Sequence, residues 1–100
     1  MKIKTKEIEQ LVLMLLNKLK EKDISEVTID TDYYWSVDWN DIENFKSESL
    51  EFGVGSFCDD WNHLQKILSG EFELNVLDLQ RLSTLLNILG KTIHESEVSL

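Results

Sequence analysis

One hundred residues with 42% apolar content are enough for a single domain over residues 1–100, which at this size buries roughly 60–70% of the surface its unfolded chain exposes. The lone cysteine, Cys58, excludes an internal disulfide and fits a reducing compartment. The net charge of −9 is unevenly spread: residues 1–22 hold six lysines and three glutamates, net +3, and residues 23–100 hold four basic and sixteen acidic residues, net −12. That balance disfavours nucleic-acid binding, which needs clustered Lys and Arg. It also disfavours anionic membrane surfaces.

The spacing predicts a first helix over residues 5–21. Ile8, Leu11, Val12, Leu15, Leu16 and Leu19 repeat at i, i+3, i+4 and i+7. Leu13 and Met14 widen the stripe, so the middle of this helix calls for cover on more than one side. Lysines 18, 20 and 22 stand at the C-terminal end, where the helix dipole favours cations. The lysines ahead of LVLMLL imitate a secretory leader. However, Glu7, Glu9 and Gln10 interrupt them, no small-residue cleavage site follows, and six apolar residues fall far short of the roughly 20 of a membrane span. The expectation is a soluble, cytoplasmic chain.

The period then changes to two. Val27, Ile29, Tyr33, Trp35, Val37 and Trp39 hold odd positions, with Thr28, Asp30, Asp32, Ser36, Asp38 and Asn40 between them, the pattern of a half-buried strand. Asp30-Thr31-Asp32 reads as a turn, splitting the run into strands of about 25–30 and 33–39. Residues 30–45 concentrate five of the nine aromatics, Tyr33, Tyr34, Trp35, Trp39 and Phe45, beside five acids and no base. On the expected register Tyr33, Trp35, Val37 and Trp39 share the core face, and Tyr34 points outward with Asp32, Ser36 and Asp38. Leu50, Phe52 and Val54 alternate with Glu51, Gly53 and Gly55 to give a third strand, whose glycines signal a bulge or a close backbone approach.

Ser56 reads as the N-cap of a second helix, with Asp59 three residues on and Asp60 in the first turn. Phe57, Trp61, Leu64 and Leu68 form its stripe, and Gly70 is its natural stop. Asn75 caps a third helix, with Asp78 three residues further. Leu79, Leu82, Leu86, Leu89 and Ile93 form that stripe, Leu85 and Ile88 broaden it, and Gly90 either ends the helix or lets it fray toward His94. The expected fold is α+β, in the order α-β-β-β-α-α: a three-stranded antiparallel sheet with the helices packed on one face.

Motifs for chemistry fall short. Gly53 and Gly55 sit between strand and helix as in a phosphate loop, yet Cys58 stands where a third glycine is needed, and Asp59 and Asp60 would repel phosphate. Asp30-x-Asp32 starts like a calcium loop, but Tyr34, Trp35 and Asp41 occupy positions that need a ligand, a glycine and a glutamate. Asp59, Asp60 and His63 share a helical face at metal-ligand spacing, a partial set with no second cluster to complete it. Cys58 has no base at a matching position. No cofactor and no catalytic constellation is expected.

The strings DYYW (32–35), GSFCDDW (55–61) and DLQRLSTLL (78–86) resemble a small family of uncharacterised bacterial proteins over nearly the whole chain. The resemblance implies a shared fold and no transferable activity. Three functions remain open. The first is a protein-binding module of inhibitor, immunity or adaptor type, docking a basic partner through Asp32, Tyr34, Ser36, Asp38 and Glu51. The second is a self-associating structural protein, for instance a homodimer formed through strand edges or the wide helix face. The third is a metal-dependent protein using Asp59, Asp60 and His63.

Overall fold

A computed structural model describes residues 1–37 and 52–98, and in it the chain is α+β. Its elements are α1 (Thr5–Glu21), β1 (Tyr33–Val37), β2 (Phe52–Ser56), α2 (Phe57–Leu68) and α3 (Leu77–Glu95). The expected single domain meets a division into two compact units, residues 1–28 with 91–100 and residues 29–90. Among the described residues no helix is long and apolar enough to cross a membrane.

In the first unit, α1 occupies the range its periodicity predicts. Its end is a hydrogen-bonded reversal: the Asp23 N–H donates to the Lys20 carbonyl at 3.0 Å and the Ile24 N–H to the Leu19 carbonyl at 2.9 Å. Asp23 takes the left-handed conformation at φ 56°, a place glycine usually fills. None of the residues of α1 is buried.

In the second unit, β1 and β2 pair antiparallel, with Tyr33 opposite Ser56, Tyr34 opposite Gly55 and Trp35 opposite Val54. The described residues hold these two strands and no third: residues 25–30 join no ladder. Val27 and Ile29 are half-buried there, between the exposed Glu26, Thr28 and Asp30. The alternation thus marks an extended segment with one covered side, which is what a period of two reports whether or not a neighbour supplies hydrogen bonds. The expected continuation of the second strand to 39, and the anchors Ile42, Phe45 and Leu50, lie outside the described residues.

Both helix starts follow the expected caps. The Ser56 hydroxyl accepts from the Asp59 N–H at 3.2 Å. The Asn75 side-chain oxygen accepts from the Leu77 N–H at 2.9 Å, and the Asp78 carboxylate returns the bond by accepting from the Asn75 N–H at 2.8 Å, a reciprocal capping box. Gly70 ends α2 at φ +86°, its N–H donating to the Ile67 carbonyl and that of Glu71 to the Lys66 carbonyl. Gly90 neither ends nor frays α3, which continues to Glu95.

The expected stripe of α3 is covered in its second half, where Ile93 is buried and Leu89 half-buried, and not in its first. Leu79, Leu82 and Leu86 are exposed, whereas Asp78 is buried and Arg81, Thr84, Leu85 and Ile88 are half-buried. In that first half the polar groups of Asp78, Arg81 and Thr84 find partners on the inward side, and Leu79, Leu82 and Leu86 are left outside.

Candidate functional site

The two faces of the β1–β2 pair carry different chemistry. On one, Tyr34 is half-buried. Its ring lies 4.6 Å from that of Phe57, centroid to centroid and tilted by 39°, and its hydroxyl donates a short hydrogen bond to the Asp60 carboxylate. Thr84 Oγ1 stands 3.3 Å from the same carboxylate oxygen and 2.8 Å from the Arg81 carbonyl. Burial, together with the hydrogen bond to Asp60, holds the Tyr34 phenol above its usual pKa.

Gly55 makes this arrangement possible. A Cβ at Gly55 would fall well inside contact distance of the Tyr34 ring. The glycine expected from sequence to permit a close approach does so for a cross-strand aromatic. Ser36 lies on the same side as Tyr34, and both line a cavity of about 190 Å³ together with Asp60, Leu77, Gln80 and Arg81.

Sequence placed Tyr34, Asp32 and Ser36 on an outward face; in the structure Tyr34 and Ser36 are half-buried and Asp32 is exposed. Tyr34 and Ser36 face the helices. Asp32 is engaged at the start of α2: its carboxylate accepts from the Ser56 hydroxyl at 3.0 Å and the Cys58 N–H at 3.1 Å, and its carbonyl accepts from the Phe57 N–H at 2.7 Å. Asp38 and Glu51 lie outside the described residues. The physical reason is that Tyr34 has both an apolar ring to bury and a hydroxyl that needs a partner. Phe57 and Asp60 supply the two.

The opposite face carries the residues expected in the core. Tyr33 is 67% exposed, Trp35 75% and Val54 64%. Trp35 and Val54 are directly cross-strand, so their side chains share one side of the sheet. Exposed Asp30 and Asp32 lead into β1. Trp39, expected beside them, lies outside the described residues.

The expected metal group separates. Asp60 is occupied by Tyr34 and Asp59 is exposed. His63 turns toward α3: its Nε2 lies 3.5 Å from Asp78 Oδ1, and its ring is 5.1 Å from that of Phe72. Among the described residues no group of three or more His, Cys, Asp or Glu is placed to hold a metal ion. The sharing of a helical face by positions 59, 60 and 63 did not decide the matter, because each side chain found a nearer partner off the helix.

Sequence reasoning missed the cluster around Asp78. Arg81 Nη1 donates to Asp78 Oδ1 at 2.7 Å. The Asn75 N–H, then Arg81 and His63, hold the Asp78 carboxyl below its usual pKa against the opposing effect of desolvation. The i, i+3 spacing of Asp78 and Arg81 was the available signal. Asp78 thus joins α2 to α3 through Arg81 and through His63, whose buried Nε2 makes no hydrogen bond. Cys58 is exposed, with the Asn62 amide 3.8 Å from its sulfur.

No family model matches the chain, and no curated protein or solved structure matches it either. The molecule is therefore described by its own geometry: a small acidic α+β protein with one sheet face closed by a tyrosine junction and the other presenting aromatics to solvent.

Proposed function

We propose that this protein is a protein-binding module whose docking surface is the Tyr33, Trp35 and Val54 face of the sheet. The observation that carries the reading is the exposure of two aromatics and a cross-strand valine on one side of a two-stranded sheet. Trp and Tyr are the side chains that most often anchor an interface. The exposed Asp30 and Asp32 that lead into β1, with the net −12 of residues 23–100, favour a partner that is basic around an apolar centre. An inhibitor, immunity or adaptor role fits this chemistry. The aromatics act as the anchor, with Asp30 and Asp32 at the start of β1 beside them.

The test is calorimetric titration of the full chain with two synthetic amphipathic helical peptides, one Leu/Lys and one Leu/Glu. The expected result is binding of the Leu/Lys peptide alone, weakened about tenfold or more by Trp35→Ala and weakened by added salt. Equal affinity for both peptides, or a Trp35→Ala chain that binds as tightly as the native one, would refute the reading.

A further inference from the structure

The middle of α1, LVLMLL from Leu11 to Leu16, places apolar side chains around the whole helical circumference. A helix apolar on all sides is ordinarily an interior helix, yet none of the residues of α1 is buried. The three most exposed are Leu11 at 60%, Met14 at 64% and Leu15 at 56%. Their i, i+3, i+4 spacing puts them on one face, and Lys18, at i+7, continues it. Lys4 and Lys22 are the two caps of the helix, and Glu7, four residues before Leu11, lies on this same face. Lys18 keeps its charge at the surface, 3.2 Å from Glu21. This face is therefore an apolar centre followed by Lys18, in a segment that carries net +3 over residues 1–22.

That is the chemistry the exposed sheet face selects. We infer that the partner of the Tyr33, Trp35 and Val54 face is helix α1 of a second copy of the chain. The inference rests on the docking surface proposed above and names its occupant. Charge supports it: the segment 1–22, net +3, meets a surface drawn from residues 23–100, net −12. Two-fold symmetry doubles the contact, because each copy gives its α1 and receives the other's.

The experiment is sedimentation equilibrium of the full chain over a wide concentration range at low and high salt, with far-UV circular dichroism to check that each variant keeps its helices. The expected result is a mass about twice the 11.7 kDa of one chain, with dissociation favoured by salt. Met14→Glu, a change at an exposed position, and Trp35→Ala should each weaken the dimer about tenfold or more. Lys18→Glu, which leaves the apolar centre intact, should weaken it less and remove most of the salt dependence. A single-chain mass at every concentration overturns the inference, and if the Leu/Lys peptide still binds through Trp35 the docking surface stands without it. A dimer indifferent to both Met14→Glu and Trp35→Ala overturns the inference too. A dimer lost on Met14→Glu but indifferent to Trp35→Ala assigns the association to α1 elsewhere and counts against the sheet face.

Discussion

The Tyr34 side of the β1–β2 pair and the Trp35 side differ by one residue of register and by almost everything else. On the first, an aromatic ring crosses to a glycine, stacks on Phe57 and hands its hydroxyl to Asp60. On the second, a tyrosine, a tryptophan and a valine are largely exposed. A two-residue period says which side chains share a face. It does not say which face the rest of the chain covers, and here the covered face is the one that offers a partner for a phenol.

The largest effect should come from Gly55→Ala. The added methyl collides with the Tyr34 ring, and moving that ring breaks both the Phe57 contact and the Asp60 hydrogen bond. Overpacking of this kind costs about 1–3 kcal/mol, read as a lowered midpoint in urea unfolding. A Gly55→Ala chain as stable as the native one would mean that Tyr34 does not lie across the sheet. Tyr34→Phe keeps the ring and removes the hydroxyl, leaving Asp60 with Thr84. Its expected cost is smaller, about 1 kcal/mol, and the same unfolding curves measure it.

Acid should weaken the junction around Asp78. The Asp78 carboxyl has its folded-state pKa lowered from the usual 3.8. The stability it contributes is therefore fully present above that value and is lost as pH falls through the lower folded-state pKa. Asp78→Asn should flatten this acid limb of a stability–pH profile, and an unchanged limb would remove Asp78 as its source. The Tyr34 phenol has the opposite sign. Its raised pKa favours the neutral form in the fold, so its contribution holds below about pH 10 and fades as pH rises through the folded-state value.

The smallest effect on stability belongs to Trp35→Ala. A side chain three-quarters in solvent should change unfolding by no more than about 0.5 kcal/mol, while its effect on binding is large. A drop of 2 kcal/mol or more, on the order of a core truncation, would place Trp35 in the core and collapse the distinction between the faces.

Much of the local structure was legible in sequence. The range of α1, the capping pairs Ser56–Asp59 and Asn75–Asp78, and the stop at Gly70 each depend on interactions within a few residues of chain. What failed depended on distant partners. Tyr34 turned inward because Asp60 lies 26 residues away. The Asp32 carboxylate caps α2 while the residue stays exposed, His63 turned to Asp78 rather than to Asp59 and Asp60, and the first half of α3 brings in Asp78, Arg81 and Thr84 while Leu79, Leu82 and Leu86 stay exposed. Gly55 was the one local clue to the first of these, since a glycine in a strand announces that something will pass close by without saying what.

Acrylamide quenching of tryptophan fluorescence tests the open face most directly. It would be run at submicromolar concentration on the native chain and on Trp35→Phe, with and without the Leu/Lys peptide, so that the difference isolates Trp35. The expected result is a steeply quenched Trp35 component in the free chain that becomes protected when the peptide is added. A Trp35 component already shielded in the dilute chain, or one quenched equally with and without the peptide, would contradict the assignment of this face as the docking surface.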